Sequence, residues 1–282
     1  MQMKKHEWRC YQHAAIPNTY PHEQVDTADV ENGVVWNLPG RPLLCRWTSD
    51  FDCKEQTGCW ACIKDTPLDL SFLSAKRRYE INKGNRYYTT RKLVCRDVVD
   101  MYDVYVESLQ GYSEKILPQE KTKFIREWNC IMSEPETVLI GVFEKETELM
   151  CGFAHLCNRG RYIPISSFKT RVSHEKKNVN FALMYGICRF FEEELQQGSY
   201  LCDGWRNIRH RTAFQDFLEK YFLFRKAYCR LHIRYNPKIA WCIKLAYPFR
   251  CLFYKMDSIK LMHEVNGVLR MEEIARGNVS DG

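Results

Sequence analysis

The sequence predicts an α/β fold: a mixed, mainly antiparallel central sheet flanked by helices. Three observations predict it. Two helical patterns in succession precede three strands joined by short turns, strands then alternate with helices to the end of the sheet, and hydrophobic residues make up 45% of the 282, enough for a substantial core. No internal repeat, low-complexity tract or Gly/Ser linker interrupts the chain.

The elements follow in order. Residues 42–48 and 58–64 read as short strands, because Leu43, Leu44, Trp47, Trp60 and Ile63 lie in runs bounded by Pro, Gly and Asp. Asp69 or Ser71 can cap a helix that runs through Ala75 to Lys83 and stops at Gly84. Residues 86–94 form a strand. From Asp97, Val98, Met101, Tyr102, Tyr105 and Leu109 recur at helical spacing, with Gly111 after the last of them. Pro118 opens a second helix whose apolar stripe is Phe124, Ile125, Trp128, Ile131 and Met132. A meander follows over 137–144, 149–157 and 162–168, turned by Lys145-Glu146-Thr147 and by Asn158-Arg159-Gly160-Arg161. Then come a long helix over 178–197 ended by Gly198, a strand at 200–203, a helix at 212–221, a strand at 225–235, and helical segments at 237–256 and 258–276.

Composition narrows the function classes. The first twenty residues carry Lys4, Lys5, His6, Glu7 and Arg9 with no apolar run behind them, and no uncharged apolar stretch of about 18 residues occurs. The expectation is a cytoplasmic protein, with the inner face of the membrane as a second location. Fourteen cysteines scattered through ordinary strands and helices read as reduced, mostly buried thiols. Cys53, Cys59 and Cys62 lack the second ligand pair that a zinc knuckle needs, so no metal is expected. A formal charge of +7 favours anionic partners, although a merely solvated basic surface accounts for it equally well.

The stretch Ser74-Ala75-Lys76-Arg77-Arg78-Tyr79-Glu80-Ile81-Asn82-Lys83-Gly84, with an alternating strand behind it, resembles the basic helix and strand joining the lobes of FemAB-like enzymes. The run Asp203-Gly204-Trp205-Arg206-Asn207-Ile208-Arg209-His210-Arg211-Thr212, a helix, and Phe224-Arg225-Lys226-Ala227-Tyr228 is similar to the segment where a GNAT transferase strand ends at the catalytic cleft. The resemblance covers roughly residues 58–235 and places the chain in or near the FemAB-like branch of the GNAT superfold, which includes the peptidoglycan-bridge aminoacyltransferases. It implies three segments: 1–85 as an N-terminal extension and truncated first lobe, 86–256 as the GNAT-like domain, and 257–282 as a C-terminal helix and tail. It also implies an N-acyltransferase that moves an acyl or aminoacyl group to an amino group of a cell-envelope or polysaccharide precursor. No tightly bound cofactor is implied. The co-substrate is an activated phosphate-bearing donor: an acyl-CoA, an acyl carrier or an aminoacyl-tRNA. In many relatives a glycine-rich loop cradles pyrophosphate before the long helix, but here residues 171–180 contain no glycine, which leaves the donor open.

Acyl transfer to an amine needs positioning, donors that polarise the carbonyl, and a base for the ammonium proton. Asp203, His155 and His210 are candidate bases, and Tyr228 is a candidate proton donor to the leaving group. Against these stand a turn-forming Asp203, a core His155 and a packed Tyr228. Arg171, Lys176, Lys177, Asn178 and Asn180 precede or open a helix and are the candidate donor site, or else a solvated loop. Arg77, Arg78, Lys83, Trp205 and Arg206 are candidates for holding a small-molecule or lipid-linked acceptor, or tRNA. Residues 238–256 mix aromatics with Lys and Arg, a composition that suits either a membrane surface or packing on the sheet. The rival readings are a non-catalytic nucleic-acid-binding module and a scaffold on a degenerate acyltransferase fold.

Overall fold

The computed structural model describes residues 8–112, 116–207, 213–257 and 259–277. In chain order the elements are β1 (Trp8–Tyr11), β2 (Ala14–Pro17), α1 (Ala28–Glu31), β3 (Leu44–Cys53), β4 (Cys59–Lys64), α2 (Ala75–Tyr87) and β5 (Tyr88–Lys92). There follow α3 (Val98–Ser108), α4 (Lys121–Met132), β6 (Thr137–Glu144), β7 (Met150–Cys157), β8 (Tyr162–Thr170), α5 (Val179–Phe190) and α6 (Glu192–Gln196). The chain ends with β9 (Tyr200–Trp205), α7 (Ala213–Phe222), β10 (Arg225–Tyr235), α8 (Pro237–Ala246), α9 (Arg250–Tyr254) and α10 (Lys260–Ala275). Two compact units result. One comprises the described parts of Met1–Ala61, Trp205–Thr212 and Lys226–Gly282, the other Cys62–Gly204 with Ala213–Arg225.

In the first unit, β1 and β2 form an antiparallel pair, β2 joins β3 in parallel through Ala14↔Leu44 and Ala15↔Cys45, and β3 runs antiparallel to β10. Trp8, Ala15, Val30, Val35, Leu38 and Cys45 form its core, with the Trp47 ring edge-on to Trp8 at 6.2 Å. β1, β2 and α1 escape the sequence reading because four residues are too few to show a period.

In the second unit the strand order is β4-β9-β8-β7-β6-β5, with β5 to β8 antiparallel and β8 parallel to β9. Leu139, Phe143 and Phe153 face Met101, Val104 and Phe124 of α3 and α4. Thr90 and Val142 are a cross-strand pair one residue out of phase with Phe143, so they point to the opposite face, where Gly186 of α5 meets Thr90. The sheet is covered on both faces, as the alternation of strands and helices predicts.

Among the boundaries that depart from expectation, three have identifiable reasons. Gly84 does not stop α2. A Cβ there would lie 2.6 Å from the Asn178 carbonyl oxygen and 3.4 Å from Ala182 Cβ, so the glycine serves close approach of α2 to α5. α4 begins at Lys121, not Pro118, because Tyr102 donates to the Gln119 carbonyl (3.0 Å) and the Gln119 N–H donates to Tyr105 (3.2 Å), holding that stretch outside the helix. The long helix over 178–197 is interrupted at the buried Phe191 (φ −102°) and becomes α5 and α6. Among the described residues no helix is long and apolar enough to cross a membrane.

Candidate functional site

β8 and β9 pair over only three residues, Tyr162↔Tyr200, Ile163↔Leu201 and Pro164↔Cys202. Pro164 brings no N–H to the last pair. Beyond it, Gly204 takes φ +93°, a left-handed conformation that suits glycine. The two strands part, and a cleft of about 390 Å³ opens between them, lined by Ile165 to Lys169 of β8, Asp203 of β9 and Phe214 of α7.

β8 is also irregular where it lines this cleft. His155 pairs with Ser167 and Leu156 with Ile165, so Ser166 is an extra residue, a β-bulge. A bulge breaks the ladder locally and re-aims the groups next to it. Phe168 packs against Phe214 with ring centroids 4.8 Å apart and closes one wall. Lys169 supplies the cation of the lining; its ammonium donates to the Tyr112 hydroxyl at 2.7 Å and sits 5.1 Å from the centre of that ring.

Asp203 is the carboxylate in the cleft. Burial disfavours its charged form and pushes the carboxyl up to about 7, against which a hydrogen bond with the buried Gln215 side chain works in the other direction. A carboxyl that titrates near neutrality can accept a proton at physiological pH and release it again. The sequence marks Asp203 through its place before Gly204; Gln215 and Lys169 were not legible as site residues, since nothing local distinguishes them from ordinary helix and strand polar residues.

The other candidates are dispersed. His155 lies on β7 with its ring 5.6 Å from Trp128 and Nε2 3.5 Å from Cys157 Sγ; burial, then Arg159, holds its imidazolium form below the usual histidine range. Its Cα partner is Ser167, a cleft residue. Tyr228 is in β10, in the first unit, opposite Cys53. Trp205 and Arg206 also belong to the first unit; Trp205 is 40% exposed, and Arg206 donates to the Gly58 carbonyl at 3.1 Å. His210 lies outside the described residues.

Arg171 and Lys177, two of the charges expected to hold a donor, are engaged within the second unit, while the Lys176 side chain is exposed. Arg171 bonds Glu107 at 2.7 Å and the Met150 carbonyl at 2.8 Å. Lys177 bonds Glu144 at 2.6 Å, the Lys176 carbonyl accepts from the Lys83 ammonium at 2.8 Å, and Asn180 accepts from Thr170 at 2.8 Å. Asn178 adopts φ 62° and donates to both the carbonyl (2.9 Å) and the carboxylate (2.6 Å) of Glu80. Of the acceptor candidates on α2, Arg78 donates to the Leu73 carbonyl at 3.0 Å, while Arg77 is half-buried.

Glu107 and Glu144 are the partners that sequence reasoning missed, because each lies far along the chain from the loop it holds. The Lys177 ammonium, then the Thr147 hydroxyl, keep Glu144 below the usual carboxylate range. Burial alone would raise Glu107, but hydrogen bonds from Ser173 and Arg171 outweigh it and leave this carboxyl depressed too. Tyr88, whose hydroxyl burial keeps protonated, lies 2.9 Å from His174 Nδ1 and completes the anchorage. Among the described residues no group of three or more His, Cys, Asp or Glu is placed to hold a metal.

No family model matches this sequence. A curated relative, the DNA polymerase of Bovine adenovirus 2, is 27% identical over 114 residues, which are 39% of this chain and 11% of the polymerase; the chain thus spans about a tenth of that protein. Among solved structures, L-PGS from Bacillus licheniformis is 14% identical, with 79% of this chain and 78% of that one covered at a TM-score of 0.46. The C-terminal domain of a putative lysylphosphatidylglycerol synthetase from Agrobacterium fabrum is 11% identical over 84% and 82% of the two chains, TM-score 0.49. FemX is 8% identical over 71% and 73%, TM-score 0.48.

Proposed function

We propose that this chain is an acyltransferase that moves an acyl or aminoacyl group from an activated, phosphate-bearing donor to an amino group, and that the transfer takes place in the cleft between β8 and β9. The observation that carries the reading is the parting of two parallel strands beside Asp203, a carboxyl poised near neutrality. An unpaired strand edge offers a row of backbone N–H and C=O groups to an extended ligand. Residues 165–169 have no β9 partner and form such an edge, which suits an amide-bearing arm of a donor. The bulge at Ser166 supplies backbone donors for polarising the acyl carbonyl.

The acceptor amine attacks that carbonyl, Asp203 takes the ammonium proton, and the tetrahedral intermediate collapses by expelling the donor's thiolate or ribose oxygen. The proton held on Asp203 then neutralises the leaving group. Lys169 is the cation available to a donor phosphate at the cleft, since Arg171 and Lys177 are already paired with carboxylates. The donor is an acyl-CoA, an acyl carrier or an aminoacyl-tRNA, with no tightly bound cofactor. The acceptor class is an amine-bearing cell-envelope or polysaccharide precursor, small or lipid-linked.

Thermal-shift titration with free CoA, acetyl-CoA and longer acyl-CoAs, followed by thiol-release assays with amine acceptors, tests the reading. Binding and thiol release that Asp203→Asn abolishes while the fold persists is the expected result. No shift with any CoA moves the donor to a carrier or tRNA. Full turnover in Asp203→Asn overturns the cleft chemistry.

A further inference from the structure

Residues 237–256 present an apolar face to the outside. Trp241, Leu245, Phe249 and Leu252 are 62%, 62%, 64% and 60% exposed, and Met256 and Ile259 continue the row at 39% and 50%. Successive members are four, four, three, four and three residues apart, the spacing that lines side chains along one side of a helical path.

The inner side of the same segment is held by polar contacts with α10. Arg250 pairs with Glu273 at 3.0 Å, Tyr254 donates to Glu273 at 3.1 Å, and Asn266 donates to the Phe253 carbonyl at 2.9 Å. Tyr247 is buried on the inner side, yet four of the segment's large apolar side chains point outward. A contiguous exposed apolar surface of this kind marks an interaction site.

Charge selects the partner. From Asn236 to Met256 there is no Asp or Glu, and the segment carries Lys238, Lys244, Arg250 and Lys255. Arg250 is occupied by Glu273, while the three lysines are exposed. Lysine stems lie along apolar surface and keep the ammonium at the polar boundary, and Trp and Phe favour the headgroup region of a bilayer. We propose that the outward face of α8 and α9 docks on the surface of a bilayer containing anionic lipids, with Trp241, Leu245, Phe249 and Leu252 entering the headgroup and acyl boundary and Lys238, Lys244 and Lys255 meeting lipid phosphates. The docking needs no acyl donor.

Co-sedimentation of the full chain with vesicles decides it. The chain binds phosphatidylglycerol-containing vesicles, more weakly as salt rises, and binds pure phosphatidylcholine poorly. Leu245→Glu with Phe249→Glu weakens binding by about 100-fold or more, the loss expected when two large apolar side chains are withdrawn. Reversing Lys238, Lys244 and Lys255 to Glu removes the preference for anionic vesicles. In the unaltered chain, brominated-chain lipids quench part of the tryptophan fluorescence, and Trp241→Phe loses that part, a readout independent of how the glutamate variants fold. Absence of binding to anionic vesicles at low salt, or binding that the glutamate pair leaves unchanged, overturns the proposal. So does a self-association that the glutamate pair abolishes in a chain that ignores vesicles, which would assign the face to a second copy.

Discussion

Replacing Asp203 by Asn separates the energetic penalty of the cleft from its chemistry. Burial moves this carboxyl from 3.8 to about 7, so the folded chain holds the proton more tightly than the unfolded chain does. A raised acid costs nothing at a pH below its unfolded value, costs progressively more as pH rises from about 4 to 7, and costs its full amount above that. At about 1.4 kcal/mol per unit the ceiling is about 4 kcal/mol, and the partial solvent contact of Asp203 lowers the expected figure to about 1–3 kcal/mol. Asp203→Asn removes the penalty, so the variant should be more stable than the parent by that amount at pH 8 and by less than half of it at pH 5. Urea denaturation of both chains at the two pH values measures this, and thiol release on the same samples should show turnover lost. In the parent, activity should rise with pH through an apparent value near 7, as expected of a base that acts deprotonated. A stability difference that is the same at pH 5 and pH 8, or a variant that is less stable at pH 8, would refute the assignment of Asp203 as a desolvated carboxyl.

Gly84→Ala should lower stability by about 1–2 kcal/mol in thermal or urea unfolding. The helical preference of alanine, about 1 kcal/mol, is outweighed by a Cβ set 2.6 Å from the Asn178 backbone oxygen, which cannot swing aside. A neutral or stabilising result would show that α2 and α5 are free to separate. Lys64 is fully buried on β4, its ammonium has no hydrogen-bond partner among the described residues, and burial holds its pKa below the ordinary lysine value. Lys64→Met should therefore raise stability by about 1–2 kcal/mol at neutral pH, with the gain shrinking as pH rises and vanishing above the unfolded lysine value, where neither state is charged. Glu144, held below the usual range by Lys177, stabilises the fold above its unfolded pKa and loses that contribution as pH falls through its lower folded value. Stability in Glu144→Gln should accordingly vary less between pH 5 and pH 3, and proteolysis of residues 171–178 should quicken; an unchanged acid profile would refute the anchorage.

Periodicity and apolar runs carried most of the fold. The α3 stripe was legible as a helical period, whereas β6 and β7, buried along nearly their whole length, were legible as continuous apolar runs bounded by turns. β1, β2 and α1 are too short to show either. Gly84 and Pro118 misled because their local meaning, stop and start, yielded to a helix packed on Gly84 and to tyrosine hydroxyls holding Gln119.

For the site, the sequence by itself determined that Asp203 lies near the end of a strand, beside a glycine, and that a cationic loop precedes a helix. Only the tertiary structure decided what those features do. β8 and β9 part to open a cleft lined by Asp203, whose burial raises its carboxyl, while Glu107 and Glu144, distant in sequence, neutralise Arg171 and Lys177. The physical reason is that burial and pairing are properties of where side chains meet in space. Local sequence fixes which charges a chain carries, and the fold determines which of them remain available for chemistry.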